Sequence, residues 1–306
     1  MFKIKLKDKT LEFDKKVSLA SLADDPNKEF IVAKVNNRIR DLHYEVYYDA
    51  TVEFLPVKDQ AAIRTYERSL RYLFAMAAQR LYPNLKFRFS YNVSRSIFVQ
   101  ILSDNVRVDS TMVKNLGEEM RKLIDADLPF ERIIVSNEEA TKIYHERGFD
   151  DKIATLKYRP EKTVHFYKCD DYMNYMYGYM VPSTGYLKRF ALRLYSPGII
   201  IQYPRSECNG NIPPFEDAPT FGKTLKESHK WAKATGIDYV AGLNKMVEKA
   251  GDVEFINLCE ARHNRMLCEL GDLIEKDIEN IRLICIAGPS SSGKTTFANR
   301  LRIELL

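Results

Sequence analysis

This chain is poor in the residues that staple folds and bind metals: five cysteines and five histidines among 306 residues. Cys169, Cys208, Cys259, Cys268 and Cys285 are scattered, odd in number and form no C-x-x-C pair. That excludes a disulfide framework and a zinc ribbon and leaves reduced thiols in a cytosol as the simple reading. The histidines (His43, His145, His165, His229 and His263) fall at no metal-ligand spacing and receive no role. No apolar run reaches membrane-spanning length, and the opening MFKIKLKDKTLEF lacks the apolar stretch of a signal peptide. A cytoplasmic location and no membrane partner are therefore expected. Internal repeats and low-complexity tracts are also missing. Charge of one sign is nearly cancelled: 47 Lys and Arg against 42 Asp and Glu leave +5, which permits an anionic partner without demanding one.

What is present is an ordinary globular composition, 45% hydrophobic, in a chain with room for two or three domains. Phe2, Ile4 and Leu6 alternate with lysines, which predicts a half-buried strand, with LEFD returning beside it. SLASLA reads as a short helix. FIVAKVNNRIRDL reads as a hairpin turning at Asn36-Asn37, where asparagine tolerates positive φ, and ATVEFL as a further strand. Through AKVNNRIRDL and DATVEFL, residues 1–60 resemble a TGS domain, the ubiquitin-like β-grasp module at the front of threonyl-tRNA synthetases and of some regulatory GTPases. The resemblance implies contact with RNA or a small effector; a packing and docking role without ligand is the other reading.

In residues 61–205, Leu70, Leu73, Phe74, Ala77 and Leu81 mark an amphipathic helix ending near Pro83. KFRFSYNV and SIFVQIL alternate as strands. A second helix is capped by Asp109 or Ser110 and buries Val113, Leu116, Met120 and Leu123; a third starts at Ser136 or Asn137 and closes at Gly148. TVHFYKC, GYMVPSTGYLKRFALRLYS and GIIIQYP are expected to supply more strands. The stretches YLFAMAAQRLYP, VDSTMVKNLGEEMRKLIDADLPFERIIVSNEEA and GYMVPSTG resemble the second additional domain of threonyl-tRNA synthetase, an α+β domain shared with alanyl synthetases. In that family the domain hydrolyses mischarged tRNA with an H-x-x-x-H pair and a Cys and His near a GPHVP turn. Here those positions are Arg68, Tyr72, Met176 and Met180. Thioether sulfur binds Zn²⁺ poorly and methionine is no general base. The resemblance therefore implies a degenerate editing cleft that binds or packs, with no zinc. Arg64, Arg68 and Arg71 on one helix flank, with Tyr175, Tyr177 and Tyr179 on one side of an expected strand, have two readings: an RNA or nucleotide surface, or a solvated flank and an aromatic sheet face.

Residues 206–279 open with the loop ECNGNIPPFEDAPTFG and continue as a helical connector. Trp231 lies in its first helix, Val240, Leu243 and Val247 in a second that stops at Gly251, and Leu258, Ala261, Leu270 and Ile274 in a third. Residues 280–306 begin with an apolar run, 281–287, that predicts a buried strand. GPSSSGKT then matches G-x-x-x-x-G-K-[ST], and Phe297, Leu301 and Leu305 follow at helical spacing. Successive loop N–H groups and the helix N-terminus suit phosphate. ATP-binding candidates are Gly288, Ser290, Ser291, Ser292, Gly293, Lys294, Thr295 and Thr296, with Lys294 on the β- and γ-phosphates and the Thr295 hydroxyl on Mg²⁺.

IAGPSSSGKTTFANRL resembles the P-loop of the uridine kinase and phosphoribulokinase family. The order of parts is similar to a bacterial family of fused nucleoside kinases. The expected fold is thus α+β and multidomain: β-grasp module, editing-like domain, helical connector, and the first strand, P-loop and helix of an α/β kinase domain cut short at the chain end. The expected function is that of the N-terminal part of a nucleoside kinase moving the ATP γ-phosphate to a nucleoside, uridine by default, with Mg²⁺. No catalytic residue lies in this chain, the acceptor base being expected downstream, and the chain alone is expected to be inactive. The competing reading is an RNA- or effector-binding protein with an ATP-dependent switch. A third, a tRNA-editing hydrolase, lacks all four polar groups.

Overall fold

A computed structural model describes residues 1–103 and 106–306. The architecture is mixed α+β with several sheets, divided into two compact units: Met1–Glu146 with Pro160–Lys226, and Arg147–Arg159 with Glu227–Leu306.

The first unit begins with β1 (Phe2–Lys5), β2 (Thr10–Phe13), β3 (Val17–Ser18), α1 (Leu19–Ala23), β4 (Phe30–Val35), β5 (Arg38–Arg40), β6 (Glu45–Val46) and β7 (Ala50–Pro56). Ser18 caps α1 by accepting from the Ser21 N–H at 3.2 Å. Asn36 and Asn37 make the β4–β5 turn at φ of 44° and 66°. A five-stranded sheet runs β2-β1-β7-β4-β5, with β1 and β7 parallel. Ile4, Leu19, Val35, Leu42, Val46 and Val52 form the core beneath it.

The chain then enters α2 (Gln60–Leu81), capped by the Asp59 carboxylate on the Ala61 N–H at 2.7 Å. There follow β8 (Phe87–Val93), β9 (Ser96–Ile101), α3 (Ser110–Asp125), β10 (Glu131–Ser136), α4 (Asn137–Glu146), α5 (Asp150–Leu156, in the second unit), β11 (Thr163–Cys169), β12 (Tyr172–Tyr175), β13 (Ala191–Tyr195) and β14 (Gly198–Gln202). Helix α2 is the core of this half. Ile97, Val99, Ile199 and Ile201 reach it from the sheet β13-β14-β9-β8, Leu116, Met120 and Leu123 from α3, and Tyr167 and Tyr172 from the sheet β10-β11-β12. The period of two sends Phe98 and Ile200 to the opposite face, against Val93, Tyr91, Tyr195 and Phe215. This two-sided burial is why β14 carries three consecutive isoleucines, Ile199 to Ile201.

Two expectations fail here. Of the stretch GYMVPSTGYLKRFALRLYS, only Ala191–Tyr195 is a strand. Residues 176–190 run irregularly through one 3₁₀ turn, Thr184–Tyr186. Pro182 has no N–H for a ladder, and side chains answer the local backbone instead: the Thr184 hydroxyl donates to Leu123 O at 2.6 Å and accepts from Leu128 N at 2.8 Å.

The second failure is the strand at 281–287, which is irregular, with Leu283 81% exposed. A strand exists through a neighbour's hydrogen bonds, and among the described residues no strand pairs with this segment. The helices around it do form: α6 (Pro219–Ala234), which starts in the first unit, α7 (Val240–Glu275), broken at Gly251 where φ is 77°, and α8 (Lys294–Glu304). Leu267 and Ile274 of α7 pack with Leu301 of α8.

Candidate functional site

The editing-like positions converge, and what they build is a packed plug. Tyr72 is 1% exposed; its hydroxyl donates to Tyr167 O and lies 3.2 Å from Tyr172 O. Its ring meets Phe130 and Tyr172 edge-on at 5.5 and 4.9 Å. Met180 is equally buried, with the Ser69 hydroxyl 3.8 Å from its sulfur, and the same hydroxyl accepts from Val181 N at 3.0 Å. Met176 packs, half-buried, on the same core. Arg68 lies across the turn, donating to Tyr179 O at 3.3 Å, and burial pulls its pKa below the ordinary arginine value. Gly178 is required beneath it: φ is +82°, and a Cβ there would stand 2.8 Å from Arg68 Nη1. The four positions thus hold one cation and no general base. Among the described residues no group of three or more His, Cys, Asp or Glu is placed to hold a metal.

The arginine flank and tyrosine row are only partly available. Arg71 is paired with Glu67 at 2.5 Å and stacks over Phe89. Tyr179 is half-buried and accepts from Arg40 Nη1 at 3.3 Å. The strand expected to align the tyrosines ends at Tyr175. Arg64, Tyr175 and Tyr177 stay exposed, with Arg64 and Tyr177 both within electrostatic range of Arg68.

Beside the plug, a cavity of about 330 Å³ opens between the β5–β6 loop and the second half of the unit. Buried Phe130, Tyr167, Met180 and Val181 form its floor, and Asp41, His43, Glu131 and Arg132 its polar wall. Burial pushes Asp41 above the usual carboxylate value, opposed by His43 and Arg132. Burial also lifts the Tyr167 phenol to about 12, and its hydroxyl is spent on Gly178 O at 3.0 Å. Sequence reading singled out Met180 but missed the cavity, because its lining comes from segments far apart in the chain that only the fold brings together.

In the second unit, the loop before α8 bounds a cavity of about 630 Å³. Gly288, Ser292, Gly293, Lys294 and Thr296 line it, whereas Ser290, Ser291 and Thr295 are exposed and stand outside the lining. Gly293 takes φ of 80° as the N-cap of α8, and Ser291 takes φ of 59°. Lys294 Nζ donates to Pro289 O at 2.6 Å. His263 and Arg300, neither singled out in the sequence, complete the wall.

No protein-family model matches the chain. It is similar to the threonine--tRNA ligase of Acetivibrio thermocellus, 28% identical over 208 residues, or 63% of this chain and 31% of the relative. It is likewise similar to that of Syntrophomonas wolfei subsp. wolfei, 30% identical over 61% of this chain and 30% of the relative. With threonine--tRNA ligase 1 of Bacillus subtilis it shares 30% identity over 56% of this chain and 27% of the relative. The chain therefore spans less than a third of the length of these curated relatives. The matches support a threonyl-tRNA synthetase-like module. They overturn the nucleoside-kinase reading: the relatives are named for ligation to tRNA, and nothing in them supports a uridine-kinase part or a phosphotransferase. No helix among the described residues is long and apolar enough to cross a membrane.

Proposed function

We propose that this chain is an RNA-binding protein on a threonyl-tRNA synthetase-like frame, with a TGS-like first module and an editing-like second one. On this reading the editing-like module recognises RNA and does not hydrolyse it. One observation carries the proposal: the positions that would do hydrolysis are filled by Tyr72 and Met180, while exposed Arg64, Tyr175 and Tyr177 lie beside them. Exposed rings offer stacking faces for unpaired bases, and Arg64 offers a phosphate contact. Arg132 and His43 on the wall of the neighbouring cavity extend the same chemistry inward. The curated relatives, named for tRNA, agree in the class of partner.

The test is tRNA binding by fluorescence anisotropy across a salt series, with Tyr177→Ala and Arg64→Ala. Affinity is expected to fall as salt rises, and each variant to weaken binding severalfold. Absence of RNA affinity at low salt, or release of the amino acid from a mischarged tRNA, refutes the proposal.

A second element concerns ATP as a switch ligand, favoured by a loop cavity whose lining carries basic side chains and no Asp or Glu. Loop N–H groups and Lys294 would hold the phosphates. Mg²⁺ carried with the nucleotide would supply charge neutralisation only, and Thr295, which stands outside the lining, is not assigned to it. ATP binding lost in Lys294→Ala, together with an ATP-dependent change in RNA affinity, is the expected result.

A further inference from the structure

The cavity beside α8 is unusual in its charge. Lys294, Arg300 and His263 line it, and no carboxylate does. Among the described residues, neither Lys294 nor Arg300 forms an ion pair. Lys294 Nζ rests on the Pro289 carbonyl at 2.6 Å. Arg300 Nη1 lies 3.0 Å from His263 Nδ1, and Arg300 Nη2 donates to Asn264 Oδ1. Two half-buried cations thus face one cavity that no carboxylate lines, an arrangement that suits an anionic ligand.

We propose that Arg300, held by His263 and Asn264 of α7, is a second cationic arm of a polyphosphate site whose first arm is Lys294 and the 288–293 loop. This rests on the reading that the loop takes phosphate, and goes beyond it by naming residues and a ligand length. Lys294 and Arg300 stand six positions apart on α8, a rise of about 9 Å. A single phosphate in the loop meets Lys294 alone. A chain of phosphates extending along the helix meets both arms. The guanidinium fork suits the distal group, where two N–H bonds can take two oxygens of one phosphoryl. His263 and Asn264 hold that fork in place before the ligand arrives, which lowers the ordering cost of binding. The chemistry is shared by a nucleoside triphosphate and by free inorganic tripolyphosphate.

The experiment is titration calorimetry of the full chain with ATP, AMP and tripolyphosphate, with Mg²⁺, comparing wild type, Lys294→Ala, Arg300→Gln and Arg300→Lys. Arg300→Gln is expected to weaken ATP and tripolyphosphate by about tenfold to a hundredfold, the range for a lost charged hydrogen bond. AMP should change little, and Arg300→Lys should fall between. His263→Ala should weaken ATP less than Arg300→Gln does. Binding of ATP without tripolyphosphate assigns the ligand to nucleotides; comparable binding of both assigns it to the phosphate chain alone. Loss in Lys294→Ala with wild-type affinity in Arg300→Gln overturns the second arm and leaves the loop reading standing. An equal effect of Arg300→Gln on AMP overturns the distal assignment. No binding of any phosphate by the wild type overturns both.

Discussion

Replacing Tyr72 by phenylalanine removes one oxygen and keeps the ring, so it isolates what the plug contributes. The hydroxyl serves Tyr167 O and Tyr172 O on neighbouring strands, and Tyr72 is 1% exposed, so no solvent replaces it. Ring contacts with Phe130 and Tyr172 survive the change. The cost is that of a buried acceptor losing its donor, about 1–3 kcal/mol. For a unit of this size each kcal/mol moves the melting temperature by about 2–4 °C, so a drop of several degrees is expected. Near-UV circular dichroism of the tyrosines is the assay, because Trp231, the single tryptophan, lies in the other unit. Tyr177→Phe is the control, since Tyr177 is 74% exposed. Had the cleft stayed open and wet, water would replace the hydroxyl. A Tyr72→Phe shift no larger than that of Tyr177→Phe refutes the plug.

Gly178→Ala is expected to destabilise the same unit by about 1–3 kcal/mol, because alanine resists a φ of +82° and its Cβ displaces the Arg68 guanidinium from the turn. Adding Arg68→Ala should recover only part of that loss in the same thermal scan. At Asp127, burial pushes the pKa up, but hydrogen bonds from Lys28 and Ser183 and the Lys28 charge outweigh it, and the carboxyl ends below its ordinary value. Its contribution is therefore present above the unfolded pKa of about 3.9 and lost as pH falls through the lower folded value. Asp127→Asn should flatten the acid limb of melting temperature against pH, and an unchanged limb counts against the linkage. Burial pushes the Cys169 thiol up to about 12, whereas Cys268 and Cys285 are exposed. Ellman's reagent at pH 8 should label those two in the native protein and reach Cys169 only on unfolding; rapid native labelling of Cys169 contradicts its burial.

Periodicity made α2 and α3 legible, because each buries one face and carries its apolar residues on that face. The Asn36-Asn37 turn and the break at Gly251 were legible because each needs a backbone few residues accept. The strand at 281–287 was misread for a complementary reason: an apolar run records a wish to be buried, and a strand also needs a neighbour. The arginine flank failed on partners. Sequence put Arg64, Arg68 and Arg71 on one side of α2, yet Glu67 neutralises Arg71 and the Tyr179 carbonyl engages Arg68. The contact between Arg300 and His263, 37 positions apart, left no local trace.

On the editing-like reading, the plug makes the absence of the four polar groups one change and not four. A hydrolytic cleft must keep polar atoms wet and unsatisfied until substrate arrives, at a cost in stability. Here Tyr72 and Met180 are sealed in the core and their polar neighbours are bonded from within. The Tyr72 hydroxyl caps two strand carbonyls, and Ser69 holds the Val181 amide beside the Met180 sulfur. Arg68 covers a turn whose φ of +82° at Gly178 favours glycine. Restoring histidine at position 72 alone would strip the carbonyl caps and leave the new imidazole sealed from water behind Met180. Such a variant should lose stability without gaining hydrolysis. On the proposed RNA-binding reading, recognition runs through groups outside the plug: Arg64, Tyr175 and Tyr177 on the surface and the wall of the adjoining cavity.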